Sequence, residues 1–279
     1  MISSFFASDI RKHGRIVAIL GSNVAVLLVA AVWHGKAVQA LAYLAAVAFS
    51  VLAIDAMSLR QPKRRAIPVR NPRFESMAII GFGLIAGGWL FCRFVLDYRP
   101  PSGALRLAWF VFGLGSVFSI LPALFLLSRG YGVANLGLRL QGITTALPVV
   151  AIFAGFTFAF SRHSITWSGA MAEAGSLLGF VLTAISACLP EEFFRFAWQT
   201  RIGAWMKNPA AGWLIASIAW ALLHGPIDYS QSHSIVDAVL GVIDIVPLGL
   251  LWGYLTHRTG GFVPSMLLHG VNLWGLQNL

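Results

Sequence analysis

Long apolar runs separated by short polar stretches form the pattern of this 279-residue chain. A helix needs about 20 apolar residues to cross the hydrocarbon core of a bilayer. Windows of that kind lie near residues 16–33, 39–57, 76–96, 104–127, 143–161, 172–200, 209–225, 235–256 and 262–278. The pattern therefore predicts an all-α fold, a polytopic transmembrane helical bundle of about eight or nine spans.

Basic residues cluster between the apolar windows rather than inside them. The two strongest clusters precede the first window and separate the second window from the third: Arg11, Lys12 and Arg15, then Arg60, Lys63, Arg64, Arg65, Arg70 and Arg73. Loops on the cytoplasmic side of membrane proteins are enriched in Lys and Arg. We therefore predict an integral, multi-pass membrane protein whose N-terminus and 60–73 loop are cytoplasmic and can touch anionic lipid.

The composition supports the same class and excludes others. Hydrophobic residues make up 58% of the chain and charged residues 11%, whereas soluble domains have about 45–50% and about 25%. The net charge of +10 does not predict a nucleic-acid partner, because no basic stripe is interleaved with exposed polar positions. Cys92 and Cys188 lie in apolar segments without metal-ligand spacing, which predicts two small buried side chains.

The polar residues within apolar windows are distributed unequally along the chain. Residues 1–140 are predicted to hold N-terminal transmembrane helices and the basic cytoplasmic loop. Residues 141–279 carry nearly all the polar chemistry inside apolar windows and are predicted to form a catalytic-type core. A glycine-rich stretch over 128–142, predicted to be a loop or a short re-entrant turn, divides the chain together with residues 58–75.

The most unusual stretch of that core is Glu191, Glu192 and Arg195 within an apolar window. An ionisable side chain at the centre of a membrane helix costs about 2.5–3.5 kcal/mol, so such a group indicates a functional site. On a helix either carboxylate can share a face with the guanidinium. One Glu can then be held charged by Arg195, while the other acts as a general base. The alternative is a structural role, because Pro190 followed by two Glu is also a favourable helix start.

Two further polar places follow: His224 before a Gly-Pro pair, and His269 with Asn272 three residues later. A single buried His is typically a structural residue. Three polar sites within successive apolar windows, however, favour a functional role over a structural one. A Glu can deprotonate water while His or Asn stabilises an oxyanion. Alternatively, Glu191, His224 and His269 can hold a divalent metal such as zinc that activates the water. Spacing does not choose between these versions, and helix breaks at Pro190 and Pro226 would help the three places converge.

These motifs, taken in order, resemble the CPBP family of intramembrane proteases, which includes CAAX prenyl endopeptidases and bacteriocin-processing proteins. The resemblance covers about residues 130–279. The first motif, Glu-Glu followed by two aromatic residues and Arg, is at Glu191 to Arg195, and the second, aromatic-x-x-x-His, is at Trp220 to His224. The third is Arg-Thr-Gly-Gly-Phe-Val-Pro-Ser at Arg258 to Ser265, which leads to His-x-x-Asn at His269 to Asn272. Trp220 stands where the family usually has Phe, and both Arg195 and Asn272 come one residue earlier than in the family pattern.

The resemblance implies a helical core with a cavity open to the cytoplasm and a peptide or protein substrate, with lipidated peptides among the candidates. It assigns the water-activating role to Glu191, with Glu192 as the neighbouring glutamate. Arg195 then corresponds to the arginine of that motif, and His224 to the histidine of the second motif. His269 and Asn272 correspond to the pair of the third motif. Family members are described both as metalloproteases and as metal-independent glutamate proteases. The implied cofactor is therefore none or a divalent metal.

Three functional hypotheses follow from the sequence. The leading one is an intramembrane endopeptidase that hydrolyses a peptide bond near the cytoplasmic face, using a glutamate-activated water, two histidines and an asparagine. The shifted positions of Arg195 and Asn272 motivate the second, a catalytically degenerate relative that acts as a binding partner or immunity factor. A secondary transporter is disfavoured, because no internal repeat is visible. Which of Glu191 and Glu192 is the base stays open.

Overall fold

The structure, a computed structural model, describes residues 14–59, 67–101, 103–160 and 177–273. Within these ranges every regular element is a helix, which confirms the predicted all-α class. The helices are α1 Gly14–Trp33, α2 Ala37–Ser58, α3 Pro72–Leu90, α4 Ala104–Val117, α5 Ile120–Ser128, α6 Ile143–Phe160, α7 Leu177–Thr183, α8 Leu189–Trp205, α9 Pro209–Leu222, α10 Gly225–Ser232, α11 Ile235–Thr259 and α12 Val263–Val271.

Six helical stretches of the described residues are long and apolar enough to cross a membrane. They are α1, α2, α3 with the π-helical turn that follows it, α6, α9 with α10, and α11. A seventh is possible if α4 and α5, which are bent by 80°, form one span. The predicted eight or nine spans are therefore not confirmed.

Two of the predicted windows, 172–200 and 262–278, account for the difference. The first contains α8, whose Glu191, Glu192 and Arg195 lower its mean hydropathy. The second contains α12, whose nine residues rise about 13 Å at 1.5 Å each, well short of a hydrocarbon core of about 30 Å. Residues 172–176 and 274–278 of these windows lie outside the described residues.

The predicted orientation, with a cytoplasmic N-terminus, stays a prediction. Much of the basic pattern that motivates it also lies outside the described residues: Arg11, Lys12, Arg60, Lys63, Arg64 and Arg65.

The two predicted proline breaks differ in the structure. At Pro190 the chain does not leave the helix, because a π-helical turn over Ala184–Cys188 leads directly into α8. Proline lacks an N–H and crowds the preceding turn, and a widened turn accommodates both effects. At Pro226 a short break is present, since α9 ends at Leu222 and α10 begins at Gly225. The proline then lies in a first turn, where no N–H is needed.

The chain divides into two compact units. Unit one comprises the described parts of Met1–Ala66, Arg139–Glu192 and Leu250–Leu279, and unit two comprises Ile67–Leu138 and Phe193–Gly249. In unit one α2 packs along α6, and α12 packs against α6, α7 and the Ala184–Cys188 turn. In unit two α10 packs against the π-helical turn that follows α3. The predicted organisation into residues 1–140 and 141–279 stays a prediction.

A buried ionic contact joins α2 to α11 in unit one. The Tyr254 hydroxyl donates a hydrogen bond to Asp55 Oδ1, and Arg258 Nε lies 3.2 Å from the same oxygen. A carboxylate in this environment needs such partners, because burying an uncompensated charge is costly. The contact therefore fixes the end of α2 against the C-terminal half of α11.

A second buried cluster organises the start of α3 in unit two. Glu75 Oε1 accepts a hydrogen bond from the Asn71 backbone N–H at 3.0 Å and from the Tyr131 hydroxyl at 2.8 Å. Arg201 Nε of α8 lies 3.6 Å from Glu75 Oε2, and both side chains are fully buried. The Tyr131 hydroxyl also accepts the Arg70 backbone N–H at 2.7 Å. Burial raises the pKa of Tyr131, so its hydroxyl stays protonated and donates to Glu75.

The Glu75 cluster predicts a stability effect for Tyr131→Phe. This change removes a hydroxyl that both donates and accepts within a buried network, so we expect the free energy of unfolding to fall by about 1–3 kcal/mol. Denaturation of the detergent-solubilised protein measures it. Tyr98→Phe is the matched control, because the Tyr98 side chain is 37% exposed. If both changes lowered the free energy of unfolding equally, the proposed contribution of the Glu75 cluster to stability would be contradicted.

Candidate functional site

Unit one brings Glu192 of α8 and His269 of α12 into direct contact. His269 Nδ1 lies 3.1 Å from Glu192 Oε1, and the two side chains are 3% and 0% exposed. An ionised carboxylate only accepts hydrogen bonds, so the imidazole must donate from Nδ1. In the neutral ring Nε2 is then the nitrogen that lacks a proton. Glu192 thus selects the tautomer of His269.

Glu191 occupies a different environment from its neighbour. Its Oε2 lies 3.8 Å from His269 Nε2, beyond hydrogen-bond distance, and its side chain is 30% exposed. The two adjacent carboxylates therefore approach opposite nitrogens of one imidazole. Glu192 is enclosed and hydrogen-bonded, whereas Glu191 is partly exposed. The structure thus separates two residues that the sequence left equivalent.

Trp252 of α11 holds the His269 ring from one side. The indole and the imidazole stack with centroids 4.0 Å apart and planes inclined by 20°. Close by, a hydrogen bond of 2.8 Å between the Thr256 and Ser265 hydroxyl oxygens joins α11 to α12. The sequence prediction missed Trp252, because a tryptophan in an apolar helix carries no local sign of a ring contact. Its place six residues before Arg258, where the family-like stretch begins, was the one available signal.

Asn272 follows α12 by one residue and is 7% exposed. Its backbone N–H continues the helix by donating to the carbonyls of Leu268 and His269. Residues three apart lie on one side of a helix, so Asn272 and His269 share a side of this short element. Its assignment as a site residue stays a prediction.

In unit two, Arg195 of α8 and His224 both contact Trp220 of α9. The Arg195 guanidinium carbon lies 5.7 Å from the centre of the indole, and the His224 ring meets it edge-on at 4.6 Å. His224 Nδ1 lies 3.1 Å from the Trp220 carbonyl oxygen. A carbonyl only accepts, so His224 also carries its proton on Nδ1 when neutral. Both predicted histidines therefore have the same tautomer.

The six predicted site residues are thus distributed over two units. Unit one contains Glu191, Glu192, His269 and Asn272, and unit two contains Arg195 and His224. The residues proposed as metal ligands are divided in the same way. Among the residues that the structure describes, no three His, Cys, Asp or Glu side chains are grouped to hold a metal ion. The metalloprotease version is therefore not supported, and we derive no step through a metal.

The apolar helices and the enclosed carboxylate–histidine pair define a multi-pass helical membrane protein with a polar site inside an apolar frame. Residues 173–274, which include all six predicted site residues, match the family model described as Rce1-like, type II CAAX prenyl endopeptidase. This match confirms the resemblance seen in the motifs and, over residues 173–274, supports membership of the CPBP family. No curated protein and no solved structure matches the chain.

The difference in exposure between the two glutamates can be measured chemically. Treatment of the folded, detergent-solubilised protein with a water-soluble carbodiimide and an amine should modify Glu191 much faster than Glu192, because only Glu191 is accessible. Fragment-ion mass spectrometry locates the label on the shared peptide. In the control variant Glu191→Gln the label should disappear from this peptide. Preferential labelling of Glu192 would contradict the described geometry.

Proposed function

We propose that this protein is an intramembrane endopeptidase that hydrolyses a peptide bond near the cytoplasmic face of the membrane. Two lines support the proposal. The family match indicates a CAAX-type intramembrane protease and a peptide or protein substrate. The observation that carries the mechanism is the His269 ring between an enclosed carboxylate and an accessible one.

The two glutamates have different roles in this proposal. Glu191 is the general base, because its carboxylate can meet both solvent and a substrate. It removes a proton from water as the water attacks the scissile carbonyl, and it later returns that proton to the leaving amine. Glu192 does not contact the water. It orients the His269 imidazole and keeps the proton of that ring on Nδ1.

His269 then directs the water from its other nitrogen. Nε2 of the neutral ring accepts a hydrogen bond from the second hydrogen of the water, so that the water's lone pair faces the peptide carbonyl. The proposed oxyanion donor is the side-chain amide of Asn272, a type of contact that is worth about 10²–10³ in rate. Arg195 and His224 receive their roles from the family motifs, as the motif arginine and the second histidine.

Conservative substitution of the two glutamates tests the division of roles. Glu191→Gln keeps the size of the side chain but removes the base, so we expect kcat to fall about 10²–10⁴-fold with a smaller change in KM. Glu192→Gln keeps an acceptor for the His269 Nδ1–H and should lose less. Cleavage of an internally quenched peptide, with and without a prenyl group, is measured in lipid nanodiscs.

Asp237→Asn is the matched control, because Asp237 is an exposed carboxylate in the first turn of α11. It should cleave at the wild-type rate. Unchanged cleavage by Glu191→Gln would contradict the assigned base. Wild-type protein that binds the peptides but cleaves neither would favour the non-catalytic relative instead. A parallel series with a chelator tests for a metal requirement.

A further inference from the structure

Trp220 is the side chain that two predicted site residues of unit two share. It is 3% exposed. Arg195 lies over its ring, and His224 meets the ring edge-on. Indole is the strongest aromatic partner for a cation, and aromatic rings prefer such edge contacts to face-to-face ones. The position of this one indole therefore influences the orientation of both the guanidinium and the imidazole.

Gly249 of α11 limits where that indole can lie. A methyl group added at Gly249 would be 2.8 Å from Trp220 Cε3 and 3.1 Å from Trp220 Cζ3, and it would also lie 3.3 Å from the Ser217 carbonyl oxygen. Carbon atoms pack at about 3.5–4.0 Å, so a side chain here must displace the ring. The Ser217 hydroxyl donates to the Gly249 carbonyl at 3.1 Å, which holds α9 and α11 close at this level.

The two atoms that approach Gly249 belong to the six-membered part of the indole. A phenylalanine ring at position 220 has no atoms that project as far in this direction. The absence of a side chain at Gly249 is therefore a requirement of the tryptophan in particular. Trp220 and Gly249 form a matched pair of large and small residues on facing helices.

We propose that Trp220 is a positioning residue for Arg195 and His224, and that Gly249 is needed because it leaves room for the indole. The part of the proposal that concerns packing, namely that Gly249 leaves room for the Trp220 indole beside Arg195 and His224, depends only on contacts within unit two. The expected effect on catalysis rests on the proposed function, in which Arg195 and His224 serve peptide hydrolysis. Neither Trp220 nor Gly249 needs to touch the substrate for this effect.

A double-mutant cycle tests the pair. Gly249→Ala displaces the indole and should lower kcat about 10- to 100-fold, since a small misplacement of catalytic groups can have this effect, with KM changing less. Trp220→Phe alone should retain most activity. The double variant Gly249→Ala with Trp220→Phe should recover most of the activity lost in Gly249→Ala, with the remaining deficit due to the Ser217 carbonyl contact. Non-additivity of this kind indicates direct coupling.

Two controls separate positioning from general damage. Gly88→Ala also places a methyl group on a helical glycine of unit two, but nothing lies within 4 Å of it, so activity should not change. Trp213→Leu removes another buried tryptophan of α9, which is 5% exposed. It should lower the thermal midpoint more than Trp220→Phe does, yet retain the wild-type kcat per folded molecule.

A second readout does not depend on proteolysis. Diethyl pyrocarbonate modifies accessible imidazole nitrogens, and mass spectrometry gives the rate at His224. This rate should change severalfold in Gly249→Ala and return toward the wild-type value in the double variant. If the wild-type protein cleaves no peptide but the His224 rates follow this pattern, the packing claim holds and the proposed function fails. If neither kcat nor the His224 rate responds to Gly249→Ala, or if Trp220→Phe does not reverse the response, the inference is overturned.

Discussion

The burial of the Glu192 carboxylate is the constraint on which the proposed site depends. A charge enclosed by protein is tolerated only when donors replace the water that it has lost. His269 supplies such a donor through Nδ1. This one hydrogen bond ties α8 to α12, fixes the tautomer of the imidazole and directs Nε2 toward Glu191. In the proposed mechanism the partly exposed carboxylate thus faces a ring whose Nδ1–H is bonded to Glu192.

The same physical logic recurs away from the site. Asp55 is compensated by Tyr254 and Arg258 in unit one, and Glu75 is compensated by Tyr131 and Arg201 in unit two. Lipid provides no hydrophobic driving force that brings helices together, so packing and polar contacts between helices determine their arrangement. Each cluster joins elements that are distant in sequence. The buried side chains of Asp55, Glu75 and Glu192 therefore serve as fixed points between helices.

The sequence predicted the all-helical class, the six apolar windows that coincide with helices of spanning length, and the family resemblance, because these depend on local composition and short motifs. The predicted eight or nine spans are not confirmed among the described residues, since an apolar count does not register that α12 is short or that α8 carries four ionisable groups, Glu191, Glu192, Arg195 and Arg201. The sequence also could not separate Glu191 from Glu192. Their difference arises from His269, which is 77 residues away, and long-range partners leave no local pattern. The ring contacts of Trp252 and Trp220 were missed for the same reason.

The central claim is that a water molecule activated by Glu191 attacks the peptide bond directly. Its most direct test is a single turnover in H₂¹⁸O, with enzyme in excess over a lipidated peptide and the new carboxyl terminus examined by mass spectrometry. Direct attack by water places one ¹⁸O atom in that carboxylate in the first turnover. If a glutamate were instead the nucleophile and water then attacked the glutamyl carbon of the resulting anhydride, the ¹⁶O of that glutamate would appear in the new carboxylate in the first turnover. An unlabelled first-turnover product would contradict the account.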